Sequence, residues 1–153
     1  MKNYFNSFLM LVTILIAGAL LISSCSKDQD NPEEDENIVE FENIKITGEE
    51  EVPSNESTAT GEFNGTYDKT TKILTYTLTF TGIEPTNMHF HKGEIGVSGP
   101  VAIPISSSPY SSPINGKTPE LTTEQESDLL NGLWYVNIHS EAFPPGEIRG
   151  QVD

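Results

Sequence analysis

Cysteine is almost absent from this chain of 153 residues: Cys25 stands alone. A single thiol excludes an intrachain disulfide, so a folded domain must draw its stability from an apolar core. Basic residues are scarce too, 8 against 23 acidic ones, for a formal net charge of −15. Such a field repels nucleic acid and anionic lipid headgroups and attracts cations. Only one long apolar run occurs, residues 8–22, and it is shorter than the roughly 20 residues that span a bilayer as a helix. Nucleophile signatures are missing as well. There is no GxSxG elbow, and the serines at 106–108, 111 and 112 lie in low-complexity sequence. The glycine-rich stretch 93–100 lacks the lysine and following helix of a phosphate-cradling loop.

What is present begins with a leader. Lys2, the apolar run and a closing Ile22-Ser23-Ser24-Cys25 read as a signal peptide over residues 1–24. The tetrapeptide resembles the bacterial lipobox, which implies lipidation of Cys25, cleavage just before it and attachment to the outer membrane of the cell envelope. An uncleaved membrane anchor or an ordinary secretory signal is the alternative. Residues 25–37 are acidic and nearly free of apolar side chains, so self-repulsion predicts an extended, disordered tether. Ser26-Lys27-Asp28 after the cysteine also resembles the acidic export signals of Bacteroidetes surface lipoproteins, which would carry the domain to the outer surface; a plain solubilising spacer reads equally well.

From residue 38 to 153 the apolar pattern has period two. Val39 and Phe41, then Ile44 and Ile46, start the first strand or pair, and the charge run after them reads as a solvated loop. Phe63, Gly65 and Tyr67 alternate in a second strand, and Leu74, Tyr76, Leu78 and Phe80 alternate with threonines in a third; the short polar link between them predicts a hairpin. A short strand over 101–105 is demoted to an edge by Pro104. Residues 106–119, rich in Ser and Pro, read as loop, and Thr122/Thr123 with Gln125/Glu126 predict a capping box opening one helix to Leu130. Seven or so short strands with one inserted helix predict an all-β domain, a Greek-key β-sandwich or barrel.

The three histidines fall on two of these strands. His89 and His91, at i and i+2, share one face while Met88 and Phe90 take the other. His139 shares the polar face of its strand with Tyr135 and Asn137, opposite Trp134, Val136 and Ile138. Two rings on one strand and a third on a neighbour can converge on one ion, and imidazole suits copper and zinc. A structural reading asks only that the rings hydrogen-bond to Asn137, Glu141 or loop carbonyls. In the last strand Glu147 and Arg149 flank Ile148 on the outer face as a candidate charge pair. Surface pairs of that kind are worth at most about 1 kcal/mol.

Glu50-Glu51-Val52-Pro53, Ala59-Thr60-Gly61 and Leu74-Thr75-Tyr76 resemble the opening of the CHRD domain, named after chordin. The resemblance continues through His89-Phe90-His91-Lys92-Gly93 with Gly96 and Gly99-Pro100, then residues 134–139, and ends with Pro145-Gly146-Glu147-Ile148-Arg149-Gly150-Gln151. It covers residues 44–152 and implies an extracytoplasmic, non-catalytic binding or adhesion module for an extracellular protein or glycan. His89, His91 and His139 are also similar to copper ligands of copper–zinc superoxide dismutase, a Greek-key barrel, and Arg149 to its anion-guiding arginine. That likeness implies copper or zinc binding or redox chemistry as the alternative. It lacks the bridging histidine, the zinc ligands and the disulfide.

Overall fold

The computed structural model describes residues 35–106 and 108–153. The leader, Cys25 and most of the acidic tether lie outside the described residues. Among the described residues no helix is long and apolar enough to cross a membrane.

Among the described residues eight strands and one α-helix follow in chain order: β1 Ile38–Thr47, β2 Thr60–Asp68, β3 Ile73–Thr81, β4 Pro85–Lys92, β5 Val101–Pro104, β6 Ile114–Lys117, α1 Thr123–Leu130, β7 Trp134–Ser140 and β8 Ile148–Val152. All eight join one antiparallel sheet in the order β5-β4-β7-β8-β1-β2-β3-β6. The all-β architecture with one short helix is therefore as the sequence predicts. The β2–β3 hairpin holds in full register from Thr60↔Thr81 to Asp68↔Ile73. Its turn is fastened by the Asp68 carboxylate, which accepts from the Thr70 and Thr71 amides and the Thr71 hydroxyl. The period-two pattern of β1 breaks between Phe41 and Ile44, where the pairing with β2 shifts. Asn43 there takes φ 56, so a bulge inserts the extra residue and keeps both apolar pairs inward.

The sheet curls until its two halves pack face to face. β2 and β4 stand four places apart, about 19 Å along a flat sheet at the usual strand spacing. Yet Phe90 of β4 meets Phe63 of β2 edge-on with ring centroids 5.6 Å apart, and Tyr76 of β3 at 5.3 Å. Trp134 of β7 completes the cluster at 5.5 Å from Phe90. The halves meet at β1 and β8, whose ladder is a single pair, Thr47↔Arg149.

Helix α1 opens as expected. The Thr122 hydroxyl accepts from the Gln125 amide and the Gln125 side chain accepts from the Thr122 amide. Leu121 and Leu129 enter the core, while Lys92 at the end of β4 pairs with Asp128 at 2.7 Å and Glu124 at 3.2 Å. Lys72, before β3, pairs with Glu126 at 3.0 Å. The helix is thereby fastened to both halves of the sheet.

One expectation is corrected. Residues 114–117 read as loop but form β6 against β3, from Thr75↔Lys117 to Leu78↔Ile114. The sheet ends on two strands of four residues, β5 with Pro104 and β6 with Lys117.

Candidate metal centre

β4 and β7 are neighbours, with Asn87↔His139, His89↔Asn137 and His91↔Tyr135 in register. The alternation that buries Met88 and Phe90 completely turns His89 and His91 to the other face, where His139 joins them. Ring centroids lie 5.4 Å apart for His89 and His91, 5.2 Å for His89 and His139, and 5.9 Å for His91 and His139. One nitrogen from each ring can be chosen so that all three lie within 4.8 Å of one another.

Backbone carbonyls orient two of the rings. His91 Nδ1 stands 2.9 Å from Gly99 O, and His139 Nδ1 stands 3.0 Å from Pro144 O. A carbonyl oxygen only accepts, so each Nδ1 carries the proton and each Nε2 presents a lone pair. Metal-bound histidines have this outer arrangement, with the distal N–H given to a carbonyl or carboxylate. His91 Nε2 is buried and meets no donor. The remaining ring, His89, sets Nδ1 3.3 Å from His139 Nε2. Nitrogens bound tetrahedrally at roughly 2.0–2.1 Å stand about 3.3 Å apart.

Charge is disfavoured on His89 and His91. Burial, and then the neighbouring His139 and His91, hold His89 below the ordinary imidazole range. Burial does the same to His91; the Gly99 carbonyl opposes it, and His139 and Arg149 add to it. Neutral imidazole is the form that ligates.

The loop 93–100 covers the outer face beside the centre, and Arg149 explains how it is held. The sequence reading placed Arg149 and Glu147 outside as an exposed pair; the structure buries both, Arg149 to 2 % exposure. They do not pair. Arg149 donates Nη1 to Val97 O at 3.1 Å and Nη2 to Glu94 O at 2.9 Å and Gln151 Oε1 at 3.0 Å. Glu147 Oε1 accepts from the Ser57 hydroxyl at 2.6 Å. Isolated strand alternation calls both positions outer; the loop 93–100 then folds over Arg149, while Asn55 and Ser57 from the segment before β2 bond to Glu147.

Under the loop, the Arg149 guanidinium lies 3.6 Å over the Tyr135 ring, and Tyr135 stacks on His91 at 5.0 Å and 16°. The Gly99 amide donates to the Tyr135 hydroxyl at 3.0 Å. Tyr135 and Gly99 thus confine His91 from two sides, a role the sequence reading did not give Tyr135. The period-two pattern placed it on the histidine face, which was the available signal. Glu51 was also missed; it reads as part of a solvated charge run yet is buried.

The comparisons agree with the motif order. No curated protein and no solved structure matches the chain. The family model described as CHRD domain matches residues 43–152, which takes in β1 from its bulge through β8 and all three histidines, and the chain belongs to the CHRD domain family.

Proposed function

We propose that this CHRD domain is a transition-metal binder, with His89, His91 and His139 as the ligands of one copper or zinc ion. The observation that carries this reading is the His91 ring. Gly99 O fixes its tautomer, Tyr135 stacks on its plane, and its buried Nε2 has no partner, in a group of three histidines whose ligand atoms lie within 4.8 Å of one another. Three imidazoles suit copper and zinc, and the usual order of affinities favours Cu(II). A metal with three protein ligands keeps a coordination position for a water or a small ligand. The acidic surface draws cations toward it.

The protein reaches its metal outside the cytoplasm, held to the outer membrane of the cell envelope through lipidated Cys25. Fatty-acid labelling that survives Cys25→Ser would refute the anchor. Titration calorimetry of metal-free protein with Cu(II) and with Zn(II) tests the centre, with one equivalent bound and binding lost in His91→Gln. No heat with either ion at neutral pH would overturn it. A non-catalytic binding or adhesion module for an extracellular protein or glycan is the second reading. It is favoured by Ile95, 68 % exposed on the covering loop, with Val97 and Val101 also exposed.

A further inference from the structure

The two halves of the curled sheet are laddered at one point only. β1 and β8 share the single pair Thr47↔Arg149. Continued two residues at a time, that register would set Lys45 opposite Gln151 and Asn43 opposite Asp153, but the ladder stops. The strands come closest at Gly150, where a Cβ would stand 2.5 Å from Lys45 O. Past it a cleft of about 350 Å³ lies between them, lined by residues 42–45 of β1 and by Gln151 and Asp153. The bulge between Phe41 and Ile44 draws β1 toward its other neighbour here: Asn43 takes φ 56 and gives its amide to Asn64 Oδ1 of β2 at 2.8 Å. On β8, the Gln151 side chain turns away to Gly93 O and Gly132 O.

Such a seam offers backbone bonds and charge together. With the ladder stopped, β1 has no strand opposite it on this side at 42–46, and an edge of that kind is a template for strand addition. Three exposed carboxylates, Glu42, Glu50 and Asp153, line the cleft against one cation, Lys45. They are not gathered on an ion: among the described residues only the three histidines bring metal-ligating atoms together. The carboxylates act as charges spread along the cleft. Ile95, 68 % exposed on the loop 93–100, lines it as well.

We infer that this seam docks an extended peptide segment carrying lysine or arginine together with aliphatic side chains. Its backbone pairs with β1, its cations face Glu42, Glu50 and Asp153, and an aliphatic side chain covers Ile95. Charge decides against the nearer occupants. A second copy, at net charge −15, and the chain's own acidic stretch 25–37 are both repelled from an acidic cleft. No histidine lines the cleft, so the inference stands apart from the metal centre; it rests on the binding-module reading, to which it gives a place and a partner chemistry.

The test uses the full chain and a fluorescein-labelled synthetic peptide of alternating lysine and valine, followed by fluorescence anisotropy. Binding should saturate at low salt and weaken as salt is raised, because exposed charges are screened. The same peptide N-methylated at its backbone amides keeps its charge but loses its ladder donors, and should bind about tenfold more weakly. A peptide of alternating glutamate and valine should not bind. Ile95→Ser, and separately Glu50→Lys with Asp153→Lys, alter exposed side chains outside the core, and each should weaken binding about tenfold. Hydrogen exchange should slow within residues 42–46 when the lysine peptide is added. Equal binding of the N-methylated peptide, binding that persists in both variants, or exchange slowed only elsewhere would overturn the seam and spare a binding module acting at another surface. No saturable binding of the lysine peptide would overturn the seam and its partner chemistry together.

Discussion

Arg149 lies 3.6 Å above the Tyr135 ring while giving three of its guanidinium hydrogens to the backbone oxygens of Glu94 and Val97 and to the Gln151 side chain. One side chain thus packs on the ring beside His91 and holds down the loop that covers it. Arg149→Ala would take the donor from the part-buried bonds to Glu94, Val97 and Gln151 and the cation from the Tyr135 ring. A loss of roughly 3 kcal/mol in denaturant unfolding is expected, since a hydrogen bond to a charged group contributes about 1.5–3 kcal/mol. Arg149→Lys should recover only part of it, because an ammonium cannot reproduce the planar fork. Unchanged stability of the alanine variant would mean the loop is held by other contacts.

Gly99 offers a sharper probe of the histidine centre. A Cβ there would run into the Lys92 carbonyl, so Gly99→Ala must displace the oxygen that orients His91. Copper affinity should fall by about 10–100-fold, the range for outer-shell partners, with the overall β-sheet circular dichroism retained. An unaltered affinity would show that the carbonyl does not hold the ring.

Acidity should act on His89 and His91 later than on an ordinary histidine. His89 and His91 are both held below the usual imidazole value, chiefly by burial. Their neutral form in the folded chain therefore persists as pH falls past about 6.5, where free imidazole protonates. Metal binding should be full above that value and decline only at lower pH. Stability of the metal-free chain follows the same sign: the unfolded state takes up protons that the folded state refuses, so the contribution is present above about pH 6.5 and is lost as pH falls through the depressed values. Calorimetry and thermal melts across that window check both statements.

The aromatic cluster gives a prediction about the whole sheet. Phe90 touches Phe63 and Tyr76 from the opposite half and Trp134 from its own. Phe90→Ala should cost about 3–5 kcal/mol, and metal affinity should fall with it, because Phe90 lies between His89 and His91 on β4. By contrast Thr122→Ala, which removes the cap of α1, should cost about 1 kcal/mol and leave the centre alone.

Local alternation was legible and long-range covering was not. Leu74, Tyr76 and Leu78 announce β3 because one face of that strand is core and the other is solvent. The same rule places His89, His91 and His139 correctly on outer faces, since faces follow from period two alone. It fails for Arg149, because the loop 93–100 folds over the outer face of β8, and no local pattern records a covering from fifty residues away. β6 fails for a different reason. Its inward Gly116 lies under the Tyr76 ring, so the strand contributes a flat backbone where the pattern looks for an apolar side chain. Glu51 looks like its exposed neighbours Glu49 and Glu50, and only the packing of Asn137 and Gly146 sets it apart.

The brevity of β5 and β6 bears on life at high local density. Each offers only four residues of free edge, one interrupted by Pro104, which has no amide hydrogen, and the other closed by Lys117. Copies crowded side by side would find little backbone to extend into a shared sheet, so a dense layer of these domains should stay discrete and unpolymerised.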